Sequence, residues 1–372
     1  MADSLRHRRA ARDLQLLQRF NLRVLVVVVL VGLGINLIGF GHVLLALRSV
    51  LSQADLLLPL QLIGVMLLVL IPAAGIYSLI TEFAFWEGWL QGLPQPDQLL
   101  ASVETVPPRH RCFVVYLDGI HQLERDHPPR VSAFLQLLEQ RLEKDVLLVR
   151  GLETYTVMPV SLAEDAGSAW FWRRLFALQD QHPNALLRLL AAVLVQANNV
   201  IKVGISSDRR YGPIMNYELA LKITLRLVEA GFQPDTDARI VLVGYSGGAE
   251  MAMGVADFLR RVTRSSVSIV SFCGVFSGNQ VLDQVSGITT IVGSKDPVAA
   301  FGRIAYPGRS PLLPLSNWNK VLRSGSIQRS EIPGMNHNGN SGPFSERFRL
   351  SVITAILEAI RPPAVAPVQT GC

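Results

Sequence analysis

Residues 239–262, RIVLVGYSGGAEMAMGVADFLRRV, decide the fold. The stretch opens on RIVLV, residues 239–243, a β-branched run suited to a central strand covered on both faces. From Ala249 onward the apolar spacing becomes that of a helix. Between the two stands Gly244-Tyr245-Ser246-Gly247-Gly248. A strand that turns this abruptly into a helix brings the two backbones too close for a Cβ two positions before and two positions after the apex. Glycine occupies both places, Gly244 and Gly248, and the apex itself is a serine.

The flanking sequence predicts βα units on either side of this junction. Upstream, residues 216–230 (NYELALKITLRLVEA) read as a helix with Asn216 as its cap, Glu218 in its first turn and Gly231 as its terminator. Strands are expected at 113–118 (FVVYLD) and 146–150 (VLLVR), with a helix over 130–144 between them. Downstream, strand-like runs at 266–272, 288–292 (ITTIV) and 327–332 (IQRSEI) are followed by an amphipathic helix over 345–360. Alternation of this kind predicts an α/β fold around a mainly parallel sheet.

Gly-Tyr-Ser-Gly-Gly in a strand–turn–helix context resembles the nucleophile elbow of the α/β-hydrolase superfamily, and the likeness covers residues 110–360. The resemblance implies an α/β-hydrolase fold and a nucleophile, an acid and a histidine in that chain order. Ser246 is then the nucleophile. Asp296, in the Gly-Ser-Lys-Asp-Pro loop after strand 288–292, is the acid, with Asp283 as its substitute. His337, in the Pro-Gly-Met-Asn-His-Asn-Gly loop after the last strand, is the base, in competition with His121, His127 and His182. A serine hydroxyl needs an imidazole to accept its proton, and a carboxylate fixes the tautomer of that imidazole. The oxyanion is expected at the N–H of Gly247, with a second donor from Asp118-Gly119-Ile120, either Gly119 or Ile120. Many members of the superfamily carry His-Gly where this chain has Asp-Gly. Glu250 reads as an acid favoured in the first turn of a helix. No cofactor is implied, and His110, His121 and His127 beside Asp118 and Asp126 match no compact zinc spacing.

With 372 residues, 49% of them hydrophobic, the chain is more apolar than a globular domain requires. The excess lies in residues 24–47 and 56–80, each longer than the roughly 20 residues that cross a bilayer and each without a charged side chain. A two-helix transmembrane hairpin is expected, with glycines seven apart (Gly32 and Gly39, Gly34 and Gly41) offering a close helix–helix surface. Arg6, Arg8, Arg9, Arg12, Arg19 and Arg23 precede the first run and account for much of the +6 net charge. Their position puts both termini and the catalytic domain on the cytoplasmic side and argues against nucleic acid as a partner. The expected organisation is a basic arm (1–23), the hairpin (24–80), a linker (81–109), the hydrolase domain (110–362) and a tail (363–372). Three scattered cysteines give no disulfide framework, and Cys273 reads as packing.

Residues 160–213, with Trp170, Phe171, Trp172, Phe176 and an apolar helix over 184–198, are a candidate lid together with residues 298–325, which contain Phe301, Tyr306 and Trp318. The leading expectation is a membrane-anchored hydrolase acting on a carboxylic ester or lipid through an acyl-enzyme. Acyl transfer uses the same machinery. A non-catalytic interaction or assembly module on the same scaffold is the alternative from another class.

Overall fold

The computed structural model describes residues 110–361 apart from 121, 123–126, 156–177, 179–182, 209–211 and 235. The expected basic arm, hairpin, linker and tail lie outside the described residues, as does most of the candidate lid at 160–213. Among the described residues no helix is long and apolar enough to cross a membrane. The chain divides into two compact units, Met1–Leu93 with Thr156–Lys202, and Pro94–Tyr155 with Val203–Cys372.

In the second unit β1 (Cys112–Leu117), β2 (Val146–Val149), β3 (Arg239–Tyr245), β4 (Val267–Phe272), β5 (Gly287–Gly293) and β6 (Ile327–Ile332) form one sheet in the order β2-β1-β3-β4-β5-β6. Every neighbouring pair is parallel. The described helices are α1 (Pro129–Glu139), α2 (Ala185–Ser206), α3 (Gly212–Glu229), α4 (Gly248–Thr263), α5 (Pro297–Ala305), α6 (Asn317–Arg323) and α7 (Arg349–Ile360). This is an α/β fold with helices on both faces of a parallel sheet.

Alternation along the strands sorts the core into two layers. Phe113, Val115 and Leu117 of β1 join Ile240 and Leu242 of β3 beneath Leu219, Ile223 and Leu227 of α3 and Ala252, Val255 and Ala256 of α4. Val114 and Tyr116 point the other way, with Val241 and Val243, onto Phe134 and Leu138 of α1 and Val352, Ile353 and Ile356 of α7. All of β1, and β3 except Arg239, is buried. Burial worth about 1.5–3 kcal/mol per large apolar side chain therefore fixes these two strands at the sheet's centre. From β1 the chain runs outward to β2, then returns to place β3 on the other side of β1. That reversal opens a crevice at the carboxyl ends of β1 and β3, the position at which open α/β sheets bind ligands.

Several boundaries differ from expectation for local reasons. Helix α3 starts at Gly212, with Pro213 in its first turn where a missing N–H costs nothing. Asn216 is therefore not a cap but a buried helical residue, whose Oδ1 accepts from the Ser206 hydroxyl at 2.7 Å. Gly231 ends the helix as expected, at φ 85°, with Phe232 N–H reaching Leu227 O at 2.8 Å. Helix α1 stops at Glu139 rather than 144. Its backbone tightens there, Arg141 N–H bonding to Leu138 O, and the Asp145 carbonyl is taken by Arg111 and Cys112. Helix α7 begins at Arg349, after a turn in which Ser345 O accepts from both Phe348 and Arg349. The apolar helix expected over 184–198 continues to Ser206.

Candidate active site

Ser246 stands at the carboxyl end of β3 with φ 52°, a left-handed conformation that costs a non-glycine residue roughly 1–2 kcal/mol. Hydrogen bonds hold the turn in that state. The Ser246 carbonyl accepts from Ala249 N–H at 3.1 Å and Val275 N–H at 3.0 Å. A Cβ on Gly244 would lie 2.6 Å from the Ala249 Cα, and one on Gly248 would collide with the carbonyls of Leu117 and Asp118. The glycines thus let α4 start against the strand, and the serine is what the turn projects.

The loops after β5 and β6 bring two more expected residues to the same place. Ser246 Oγ lies 3.0 Å from Nε2 of His337, and His337 Nδ1 lies 3.0 Å from both carboxylate oxygens of Asp296. All three residues are buried. With Nδ1–H donating to the carboxylate, Nε2 is left to accept the serine proton. The ring of Tyr245 stacks on His337 with centroids 5.6 Å apart, and its hydroxyl donates to the His337 carbonyl at 2.9 Å. Asp283, the substitute acid, is exposed on a loop. His121 and His182 lie outside the described residues.

Asp296 also caps α5, its Oδ1 accepting from Val298 N–H at 3.0 Å and Ala299 N–H at 2.9 Å. Burial works to raise its pKa, but hydrogen bonds from His337, Ala299 and Cys273, with the charge of His337, together outweigh it, and the carboxyl sits below its ordinary value. Cys273, read from sequence as packing, is buried at the end of β4 with φ 49° and hydrogen-bonds to this carboxylate. Burial, followed by the Asp296 charge, raises the thiol pKa and keeps it protonated. Cys273, Asp296 and His337 present ligand-type atoms within 4.8 Å of one another. A metal there would need the thiolate and would displace the hydrogen bond between His337 and Asp296, whereas hydrogen bonding already satisfies each group.

The loop after β1 is organised by Asp118. Its Oδ1 accepts from the Tyr116 hydroxyl at 3.0 Å and Gly119 N–H at 2.8 Å, and its Oδ2 from His127 Nδ1 at 2.9 Å. Gly151 N–H donates to His127 Nε2 at 3.3 Å, which places the ring proton on Nδ1. Tyr155 donates to the Asp118 carbonyl at 2.9 Å, and the Asp118 N–H bonds to Thr154. Of the two residues weighed as second oxyanion donor, Gly119 has its N–H committed to the carboxylate. Ile120 lies against Gly247, its Cγ2 3.0 Å from where a Cβ there would stand. Gly247 is the N-cap of α4, so its N–H lies at the positive end of that helix. This network escaped the sequence, because nothing in the spacing of Asp118 and His127 says that the chain turns back on itself between them.

Glu250 stands in the first turn of α4, as expected, and is fully buried there. It accepts from the Ser277 N–H at 2.5 Å and hydroxyl at 3.2 Å and from Gln280 Nε2, and so pins the loop after β4 to α4. Burial pushes its pKa up to about 7, with the hydrogen bonds opposing. Beside the site, a cavity of about 350 Å³ is lined by Asp118, Gly119, Gln122, Arg130, Tyr245 and Asn338, among others. Of the aromatic residues expected to cover the serine, Trp318 packs on Phe276 at 5.0 Å, while Phe301 is exposed to solvent.

No family model matches the chain, and no curated protein matches it.

Proposed function

We propose that the chain is a serine hydrolase of the α/β-hydrolase type that cleaves a carboxylic ester through an acyl-enzyme on Ser246. The observation that carries this reading is the continuous relay from Ser246 Oγ to His337 Nε2 at 3.0 Å and from Nδ1 to Asp296 at 3.0 Å. The strained apex at φ 52° supports it, because a structural serine would not need a left-handed turn packed so tightly against a helix. The chain order serine, aspartate, histidine agrees with the resemblance.

In this reading His337 takes the hydroxyl proton as Ser246 attacks the ester carbonyl, and Asp296 holds the imidazolium that forms. The tetrahedral oxyanion is received by the N–H of Gly247 and by a second N–H of the loop after β1, from Gly119 or Ile120. His337 then protonates the leaving alcohol. Water, deprotonated by the same imidazole, attacks the acyl-enzyme and regenerates the serine. The apolar runs at 24–47 and 56–80 would tether this chemistry to a membrane, with the catalytic unit cytoplasmic, and would favour ester substrates that partition into lipid. Purified full-length protein in detergent, mixed with p-nitrophenyl butyrate, should release p-nitrophenol in a burst stoichiometric with enzyme, and Ser246→Ala should not. A burst of equal size in Ser246→Ala would remove the nucleophile from this mechanism.

A further inference from the structure

A second cavity, of about 170 Å³, lies between the sheet and the segment carrying α5 and α6, and none of Ser246, Asp296 and His337 lines it. Three arginines from separate elements converge on it: Arg303 from the last turn of α5, Arg309 from the turn that follows, and Arg329 from β6. Like charges brought together in this way repel one another unless something negative sits among them.

The described protein atoms do little to neutralise them. Arg329 pairs with Glu331 at 3.1 Å, but both side chains are about half exposed, and such pairs are weak. Among the described residues neither Arg303 nor Arg309 has an ion-pair partner. The Arg309 guanidinium carbon lies over two rings, 3.8 Å from the Phe276 centroid and 5.2 Å from that of Trp318, and the group donates to the Phe276 carbonyl at 3.3 Å. Its Nε is buried without a hydrogen-bond partner, and so is the hydroxyl of Ser271, a residue 1% exposed that also lines the cavity. A buried donor left unpaired costs about 1–3 kcal/mol, so two lining one cavity, one from the sheet and one from the segment opposite, point to a shared acceptor. Burial, then repulsion from Arg303, lowers the Arg309 pKa to about 10; Arg329 adds to this, and Glu250 is the nearby carboxylate that opposes it.

We propose that this cavity is a binding site for a phosphate group. A tetrahedral anion can meet guanidinium groups arriving from three directions and still accept from a hydroxyl, whereas a planar carboxylate offers two oxygens and one charge. The volume equals that of about five or six waters at ~30 Å³ each, the scale of a five-atom oxyanion with little attached. The phosphate comes either from a soluble anion or from a phospholipid headgroup. The second source is consistent with Phe301 and Ile304, which α5 leaves 66% and 81% exposed. The site is independent of the hydrolase reading.

The test uses the full chain in neutral detergent at constant ionic strength, titrated with inorganic phosphate and, separately, with dihexanoyl phosphatidate, reading thermal stability and calorimetric heat. Saturable binding should appear in wild type and persist in Ser246→Ala, so failure of one reading leaves the other standing. Arg303→Gln and Arg329→Gln alter exposed side chains and should preserve the fold. Each should weaken binding at least about tenfold, about 1.4 kcal/mol. Binding of inorganic phosphate identifies a soluble anion, and binding of the phosphatidate alone identifies the headgroup. Effects matched by sodium chloride for both probes, or wild-type affinity in the Arg303→Gln/Arg329→Gln double variant, would overturn the proposal.

Discussion

Replacing Asp296 by asparagine separates the two tasks of that side chain. Its Oδ1 caps α5 through Val298 and Ala299 N–H, and both oxygens lie 3.0 Å from His337 Nδ1. Asparagine keeps one carbonyl oxygen, so the cap, worth about 1 kcal/mol, survives. Its amide nitrogen takes the place of Oδ2 at Nδ1, where two donors cannot bond, while the retained Oδ1, also 3.0 Å from Nδ1, is already shared by two N–H groups and carries no charge. The imidazole responds by moving its proton to Nε2, where it can no longer accept the serine proton. The equivalent change in a well-studied serine protease costs about 10⁴ in turnover, which is about 5.5 kcal/mol at 1.36 kcal/mol per decade. In Asp296→Asn the rate constant for fluorophosphonate labelling should therefore fall by about 10³–10⁴ while the melting temperature shifts by less than ~3 °C. Labelling within tenfold of wild type, in a protein that melts normally, would refute the reasoning, because Asp296 would then be only a helix cap.

Four further outcomes follow from the structure. Gly244→Ala puts a Cβ 2.6 Å from the Ala249 Cα, and only separation of strand and helix relieves it; thermal unfolding should register a loss above ~3 kcal/mol. Gly231→Ala, at φ 85° in open space, should cost only about 1–2 kcal/mol in the same assay. Asp118→Asn leaves His127 between the Gly151 N–H and an amide NH₂, and no tautomer can accept at both nitrogens. It should lose about 2–3 kcal/mol in thermal unfolding together with ester hydrolysis. Burial pushes the Glu250 pKa from an ordinary 4.5 in the unfolded chain up to about 7 in the folded one, so its contribution is intact below pH 4.5 and is lost as pH rises through 7. Relative to Glu250→Gln, wild type should lose about 3 kcal/mol of stability between pH 4 and 8 in melts; parallel pH profiles would contradict the burial argument.

The parts of the fold that sequence revealed are those where a local demand admits few residues. A left-handed apex pressed against a helix requires Gly244 and Gly248, and the buried strands beside it can hardly be anything but β-branched runs. Asp296 and His337 were legible because each follows such a run in a short polar loop. The pairing of Asp118 with His127 was not, since it depends on where α1 packs rather than on spacing. Glu250 lies in the first turn of α4 as its place after the glycines indicates, but its burial was not legible, because only the loop over residues 277–280, folded back onto α4, covers it. The start of α3 was misplaced because Asn216 suits a cap as well as it suits the buried bond to Ser206 that it makes. The arginine cavity gathers residues from α5, the following turn and β6, a convergence that exists only after β5 and β6 pair.

The most direct measurement is peptide mapping by mass spectrometry after the full-length chain reacts with a fluorophosphonate. The phosphonyl adduct should sit on Ser246, form only with folded protein and vanish in His337→Ala as well as in Ser246→Ala. An adduct on another serine, or undiminished modification of Ser246 without the histidine, would contradict a relay that runs from Asp296 through His337 to that hydroxyl.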